Sequence, residues 1–237
     1  IHLLPLVLAL AGPEGSPDGM RRQTLSMLAG WDASMDQDRP EPLIHAEWMH
    51  QLQSVLIEDD LGTLAGDLWR TNPLFLMRVL GDIQGAGIWC DDVRTPQIED
   101  CAAAASRSLD ATLAELSGRH GPDPHRWRWG DAHVAMQDHA VLGGLPILGL
   151  AVNIRQPTSG GDDTLLRGLT RGTPEGRHEN IHAAGYRAVY DLADRSRSLF
   201  VTATGQSGHP LSRHYRDLAA LWGAGAYIPV SADLGPS

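Results

Sequence analysis

The sequence lacks several features that would place it in a common class. Two cysteines among 237 residues are too few for a structural zinc site unless histidines complete it. Basic residues are outnumbered, 19 against 29 acidic ones, and the formal charge of −10 repels phosphate backbones and anionic lipid headgroups. The sequence shows no internal repeat and no low-complexity tract. We therefore expect neither nucleic acid nor a membrane surface as a partner.

Long hydrophobic runs are also scarce. The one strongly apolar stretch, Ile1 to Ala11, has about half of the ~20 residues that a membrane-spanning helix needs. No basic residue precedes it, as one would in a secretory signal. We interpret it as the interior of a helix, with a remnant of a secretory signal as the alternative.

What is present suffices for a folded protein, since 42% of the residues are hydrophobic and can form a core. Apolar residues recur at three- and four-residue steps in the first half, which predicts helices that each bury one face. The residues are Leu25, Leu28 and Trp31, then Trp48, Leu52, Val55 and Leu56, and a third helix is predicted from Asp100 to about Ser117. Pro40 and Pro42 separate the first two helices.

Beyond Pro124, short apolar runs alternate with turn residues, which is typical of strands joined by loops. Predicted strands are His133 to Met136, Ile147 to Val152, Tyr186 to Leu192 and Ser198 to Thr204. Residues 155 to 176 are predicted to form a surface loop, and Ser212 to Trp222 a last helix that Ser212 caps. The expected fold is α+β, with a mainly helical region 1–124 and a strand-rich region 125–237 that ends in a helix.

The two cysteines, Cys90 and Cys101, are separated by ten residues, a gap that can close as a loop. A disulfide between them would suit an exported protein and would add ~3 kcal/mol by the loop-entropy model. Two free thiols that happen to be neighbours are the alternative.

The segment His178-Glu179-Asn180-Ile181-His182 fits the pattern H-E-x-x-H. On a helix, both imidazoles could bind one zinc ion while Glu179 activates its water. Pro174 and Gly185 leave room for about two helical turns at most, so a polar loop or helix end is the favoured interpretation.

A second catalytic pattern lies in Gly205-Gln206-Ser207-Gly208-His209, close to His214 and Asp217. A serine-hydrolase elbow needs G-x-S-x-G, whereas here the second glycine comes one position early. We favour a tight turn, with both glycines in backbone conformations that other residues avoid.

The stretch Arg126-Trp127-Arg128-Trp129 could stack nucleic-acid bases. Because the net charge is strongly negative, we favour a strand instead, with its tryptophans buried and its arginines paired with acids.

Taken together and in order, several segments resemble the C-terminal half of the β subunit in the penicillin acylase family, which includes acyl-homoserine-lactone acylases. The resemblance extends from about Arg21 to Pro229. Its pieces are Leu28 to Asp32 with Met35, Arg39 to Ile44, Trp89 to Asp91, Trp127 to Asp131 with His133, Gly160 to Asp162, Tyr186 and Arg187 with Asp191 and Leu192, Gly205 to Pro210 with Ser212, His214 and Tyr215, and Leu221 and Trp222.

The resemblance implies a four-layer αββα fold of the N-terminal nucleophile hydrolases. In that family a precursor, or zymogen, cleaves itself so that a serine becomes the first residue of the β subunit. Its hydroxyl attacks the amide carbonyl, its own α-amine is the base, and an asparagine with backbone N–H groups binds the oxyanion. All these residues precede the matched region, and Ile1 has neither hydroxyl nor thiol. We therefore predict no catalytic residue in this chain, and no activity for the chain alone.

The resemblance also implies the surroundings of the chain. The expected partners are the remainder of the β subunit, the α subunit and a small N-acyl amide, either a β-lactam side chain or an acyl-homoserine lactone. No cofactor is expected, although the family fold can carry a calcium ion outside this region. A periplasmic or secreted location is expected, with the cytoplasm as the alternative. Competing hypotheses are a zinc hydrolase through His178, Glu179 and His182, and a non-catalytic scaffold or binding domain.

Overall fold

The computed structural model describes residues 3–12 and 19–230 and divides into two compact units. The helical unit runs up to Ser34 and continues from Asp38 to Trp129. The strand unit consists of Met35–Gln37 and the residues from Gly130 onward. Helices dominate the first unit and short strands the second, so the α+β class predicted from the sequence is confirmed.

The helical unit contains five α-helices and three 3-10 segments within the described residues. The helices are α1 (Leu3–Ala11), α2 (Gly19–Ala29), α3 (Glu41–Leu61), α4 (Pro73–Leu80) and α5 (Cys101–His120). The 3-10 segments are Gly62–Leu68, Ile83–Cys90 and Pro124–Arg126. A short helix, α6 (Trp129–Ala132), lies at the junction of the units.

The ends of α3 and α5 follow from local chemistry. The Asp100 side chain accepts a hydrogen bond from the Ala103 N–H at 2.8 Å and so caps α5. Gly62 and Gly121 follow the two helices with φ of 53° and 88°, in the left-handed region where glycine has no steric penalty.

The core of this unit lies where α3 packs on α5. Trp48 is fully buried, and its indole N–H donates to the Ser108 hydroxyl at 3.0 Å. Leu28, Leu52 and Leu56, which set the predicted periodicity, are buried as well. The predicted apolar helix faces are therefore confirmed at these positions.

Charged side chains are buried in the helical unit as well, and Arg21 is one of them. Arg21 on α2 donates to Asp110 at 2.6 Å, to the Ser106 hydroxyl at 2.9 Å and to the Ala11 carbonyl at 3.0 Å. These bonds connect α2 with α1 and α5, and they compensate the cost of taking a guanidinium out of water.

The strand unit contains two small sheets within its described residues. Its elements are β1 (Val134–Gln137), α7 (Pro146–Val152), β2 (Ile154–Pro157), β3 (Gly168–Thr170), β4 (Asn180–Ala183), β5 (Tyr186–Val189), β6 (Leu199–Thr202), α8 (Ala219–Gly223) and β7 (Ile228–Pro229). One sheet has the order β2-β1-β4-β3 and the other β5-β6-β7. All pairings are antiparallel except that of β1 with β4, which is parallel.

The apolar core of this unit is small. Ala135, Val201, Leu218 and Trp222 form one cluster, and Tyr215 joins Ile154 and Ala219 in a second. Tyr215 and Trp222 are the two large aromatic side chains of these clusters, and both are buried.

Met35–Gln37 belongs to the strand unit although its sequence neighbours belong to the helical one. The Met35 carbonyl accepts from the Gly160 N–H at 2.7 Å, and the Gln37 carbonyl accepts from the Gly130 N–H at 2.8 Å. The Gln37 N–H donates to the Ser159 hydroxyl at 3.0 Å. Met35 and Gln37 therefore take part in the hydrogen bonding of the strand unit.

Three predictions for this region are wrong. The apolar run from Ile147 to Val152 is the helix α7, because Pro146 occupies its first turn. The predicted loop 155–176 contains most of β2 and all of β3. The last helix has five residues, since residues 210–218 form successive turns.

In the described part of the chain, every helix is too short or too polar to span a membrane.

Candidate functional site

The segment from Gly205 to Asp217, which we call the Gly205–Asp217 turn, contains the residues that resemble a serine-hydrolase elbow in the sequence. The Ser207 N–H donates to the His214 carbonyl at 3.1 Å, and a Cβ at Gly205 would overlap that carbonyl oxygen. Neither Gly205 nor Gly208 has a φ in the left-handed region, so the predicted reason for these glycines is wrong. Close approach of two backbone segments explains Gly205.

The turn does not assemble a catalytic triad. His214 Nδ1 lies 2.7 Å from Asp217 Oδ2, as in the His–Asp half of a triad. However, the Arg213 Nε–H donates to His214 Nε2 at 2.9 Å, at the atom that would have to accept the serine proton. The Ser207 hydroxyl instead accepts from the His209 N–H at 3.2 Å. This arrangement fits a structural turn.

Ser212 does not cap a helix, contrary to prediction. Its hydroxyl accepts from the His214 N–H at 3.1 Å within the turn, and α8 begins only at Ala219. A serine hydroxyl makes the same local bond in a turn as at a helix start, so the sequence does not distinguish them.

The zinc hypothesis through His178, Glu179 and His182 is wrong on geometry. His178 lies in a turn and His182 on strand β4, so the two imidazoles do not share a helix face. Glu179 Oε2 accepts from Arg171 at 2.8 Å. No group of three metal-binding side chains occurs within residues 3–12 and 19–230.

Trp127 and Trp129 are buried, as predicted, but the segment around them is not a strand. It consists of a 3-10 turn followed by α6. Arg128 donates to the carbonyls of His125 and Trp127, both at 2.7 Å, rather than to an acid. Because both indoles are covered, they offer no stacking face for nucleic-acid bases.

A buried polar network, absent from the sequence predictions, surrounds His133. His133 Nδ1 lies 2.8 Å from the His178 carbonyl, which can only accept, so Nδ1 carries the proton. The Thr158 hydroxyl donates to the His133 carbonyl at 3.0 Å and accepts from the Asn180 amide at 3.1 Å. The network thus connects the residue before β1, the residue after β2 and strand β4.

Burial lowers the pKa of His133 to about 4, against a smaller opposing effect of the His178 carbonyl. The ring is therefore neutral at pH 7. A neutral imidazole with a fixed tautomer can orient neighbouring groups, and this one holds strands together. The sequence offers no local pattern for this network, because its residues are far apart in the chain and are brought together by the pairing of β1 with β2 and with β4.

Cys90 and Cys101 form a disulfide, with their Cα atoms 4.9 Å apart. Inside the loop that it closes, the Asp92 N–H donates to Glu99 at 3.1 Å and the Glu99 N–H donates to Asp91 at 2.9 Å. Side-chain hydrogen bonds from Arg94 lower the pKa of Asp92 to about 2. The acidic side chains of this loop therefore accept hydrogen bonds that hold its two ends together.

Comparison with known proteins identifies the family. The sequence model of the penicillin amidase family matches residues 2–234. The chain belongs to the penicillin amidase family. The resemblance inferred from its separate segments is confirmed.

Proteins similar to this chain include acyl-homoserine lactone acylases QuiP. The protein from Pseudomonas putida is 28% identical over 94% of this chain and 28% of its own length. The one from Pseudomonas aeruginosa is 26% identical over 95% of this chain and 28% of its own length. A penicillin acylase 2 proenzyme from a Pseudomonas species is 31% identical over 54% of this chain and 15% of its own length.

This penicillin amidase family chain thus spans less than a third of the length of these relatives. A thermostable penicillin G acylase from Alcaligenes faecalis is a solved structure with a TM-score of 0.47 and 16% identity. The alignment covers 97% of this chain and 42% of that one. Ile1, which the sequence excludes as a nucleophile, lies outside the described residues.

Proposed function

We propose that the chain is the C-terminal part of the β subunit of a self-processing acylase that hydrolyses the linear amide bond of N-acyl compounds. The observation that carries the proposal is the family match over nearly the whole chain. The relatives are acylases by name, one of them a proenzyme, and this chain spans only part of their length.

In this proposal the chain is structural and the hydrolytic nucleophile belongs to another part of the protein. Two findings support it. The Ser207 hydroxyl and His214 Nε2 are each engaged with other partners, and His133 is neutral and buried. The remainder of the β subunit and the α subunit are the proposed partners, and a small N-acyl amide, such as a β-lactam side chain or an acyl-homoserine lactone, is the proposed substrate. No cofactor is assigned to the chain.

We further propose an exported location, in the periplasm or outside the cell. The Cys90–Cys101 disulfide supports this proposal, because structural disulfides persist mainly in oxidising compartments. Thiol titration of exported protein in denaturant without reductant would find no free thiol. Two titratable thiols would contradict the proposal.

The activity is tested with two proteins, the complete acylase polypeptide and the 237-residue chain alone. The complete protein should release the acyl group from penicillin G or from an acyl-homoserine lactone, whereas the chain alone should not. Ser207→Ala in the complete protein should leave turnover unchanged. Turnover by the chain alone, abolished by Ser207→Ala, would overturn the proposal.

A further inference from the structure

An exposed apolar surface follows β1 in the strand unit. Residues 140–154 contain no charged side chain. Five large side chains in this stretch, which we call the 141–150 surface, are between 46 and 88% exposed: Val141, Leu145, Ile147, Leu148 and Leu150. Soluble proteins usually scatter exposed apolar residues singly, whereas contiguous ones mark interaction sites.

The backbone beneath this surface is held in place by side chains at its two ends. The His139 N–H donates to the Asn153 side-chain oxygen at 3.0 Å, and the Asn153 amide donates to the Gly143 carbonyl at 3.1 Å. His139 Nδ1 accepts from the N–H groups of Val141 and Leu142, both at 3.1 Å. His139 and Asn153 thereby close the segment into a loop.

The helical part of the segment is fixed to the core of the strand unit. The Tyr215 hydroxyl donates to the Val152 carbonyl at 2.6 Å, and Tyr215 is itself buried with Ile154. Gly149 approaches the Gly143 backbone so closely that a Cβ there would overlap the Gly143 carbonyl. The backbone that carries the exposed leucines and isoleucine is therefore held in place, which lowers the entropic cost of binding a partner.

The charge of the protein and the length of its relatives distinguish between a membrane and a protein segment as the binding partner of the 141–150 surface. A membrane surface would require a cluster of basic residues around the apolar ones. Residues 140–154 themselves carry none, Arg216 donates to the Ala151 carbonyl at 3.3 Å, and the protein carries a formal charge of −10. The centre of a protein interface, in contrast, is depleted of charge. In the acylase relatives that match 94 and 95% of this chain, the matched region is 28% of the length, so the remaining polypeptide is more than twice as long as the matched region.

We propose that the 141–150 surface is the docking site for an apolar part of the same acylase polypeptide that lies outside these 237 residues. The inference rests on the proposed function, since it requires a larger acylase around the chain. It adds the place at which this chain and the rest of the enzyme meet.

Site-specific photo-cross-linking in the complete acylase identifies the occupant. All 19 basic residues of this chain are arginine, so amine-reactive reagents have no lysine to capture here. The photoreactive substitution Ile147→p-benzoylphenylalanine should cross-link to a peptide from outside the 237 residues. Leu192→p-benzoylphenylalanine, at an exposed position outside the surface, is the matched control and should give no such product. A link to the same surface of a second copy, or no link from position 147, would overturn the proposal.

Charge insertion tests the energetic importance of the surface. Ile147→Glu with Leu150→Glu should lower the Tm of the complete acylase by several degrees, because docking would bury both carboxylates. The control pair Leu165→Glu with Leu211→Glu, at exposed positions elsewhere in the unit, should leave the Tm within a degree. Equal effects of the two pairs would overturn the docking site, whereas complete absence of amide hydrolysis by the unsubstituted enzyme would overturn the proposed function instead.

Discussion

The helical and strand units distribute their apolar side chains in opposite ways. Of the 32 buried apolar residues in the described chain, twenty-four lie in the helical unit and eight in the strand unit. Of the twenty exposed large ones, seven lie in the helical unit and thirteen in the strand unit. Apolar burial is therefore the main stabilising contribution in the first unit.

The strand unit uses other means. Its small core is supplemented by the His133 network, by the clamp of His139 and Asn153, and by backbone segments that meet at glycines. Such contacts depend on exact geometry and tolerate little added volume. The lesson is that removing volume should harm the helical unit most, whereas adding volume should harm the strand unit.

The largest effect is expected from removing a core indole of the helical unit. Trp48→Ala should lower the free energy of unfolding by ~3–5 kcal/mol, because it leaves a cavity and removes the hydrogen bond from the indole to the Ser108 hydroxyl. Trp69→Ala, at a half-exposed position of the same unit, is the matched control and should cost much less. Urea denaturation followed by far-UV circular dichroism measures both. Equal losses in the two variants would contradict the conclusion that apolar burial is the main stabilising contribution in the helical unit.

Acid should affect both units, since burial lowers the pKa of a histidine in each of them. Burial lowers the pKa of His45, beside Trp31, and that of His133 to about 4. Between pH 6.5 and 4 the unfolded chain therefore binds more protons than the folded one. The free energy of unfolding then decreases as the pH is lowered through that window, by up to ~3 kcal/mol per histidine, and the two histidines contribute no further loss below it.

The acid effect is assigned by substitution. His45→Gln and His133→Gln should each reduce the loss of unfolding free energy between pH 6.5 and 4, measured by denaturation at several pH values. His182→Gln, at an exposed position of the strand unit, controls for removal of an imidazole as such. A loss as steep in both buried-site variants as in the wild type would contradict the assignment.

Added volume tests the strand unit. A Cβ at Gly168 would overlap His133 Nε2 and approach Asn180 at 2.7 Å, so Gly168→Ala should cost ~1–3 kcal/mol of unfolding free energy. Gly208→Ala, in open space within the same unit, should be nearly neutral. Thermal unfolding distinguishes them, and a neutral Gly168→Ala would show that the network accommodates volume.

The smallest expected effects compare two polar side chains at local backbone bonds. Asp100→Ala should cost ~1 kcal/mol, because it removes the cap of α5. Ser212→Ala should cost less, since its hydroxyl supports only a turn. If calorimetry finds the serine variant to be the more damaging one, then the turn contributes more stability than its single bond indicates.

The helices that could be predicted are those whose causes are local. The third predicted helix, Asp100 to Ser117, matches α5 (Cys101–His120), because its cap and its apolar stripe are both close in sequence. The helix α4 was missed although Asn72 caps it and Pro73 opens it, a pairing that the sequence does display. The run Ile147 to Val152 was assigned to a strand because short apolar runs fit either structure, and only Pro146 favoured a helix.

Strand β4 and the buried network could not be predicted, because the polar and apolar residues of this strand face the opposite way from the usual arrangement. Asn180 is 4% exposed whereas its neighbour Ile181 is 40% exposed, so the apolar residue faces outward and the polar one inward. Alternation assigns such a strand to the wrong face. The order of the family segments did predict membership, since it depends on many weak matches and not on any single contact.

The hydrogen bonds of Met35–Gln37 have a consequence for attempts to separate the units. A protease that cut the peptide bond between Trp129 and Gly130 would not yield an intact strand unit, because three of its residues would remain covalently part of the other product. A gene divided at that codon would encode a second half without the backbone partners of Gly130 and Gly160. The two units are interleaved in the sequence, and expression of the strand unit by itself requires that residues 35–37 be supplied with it.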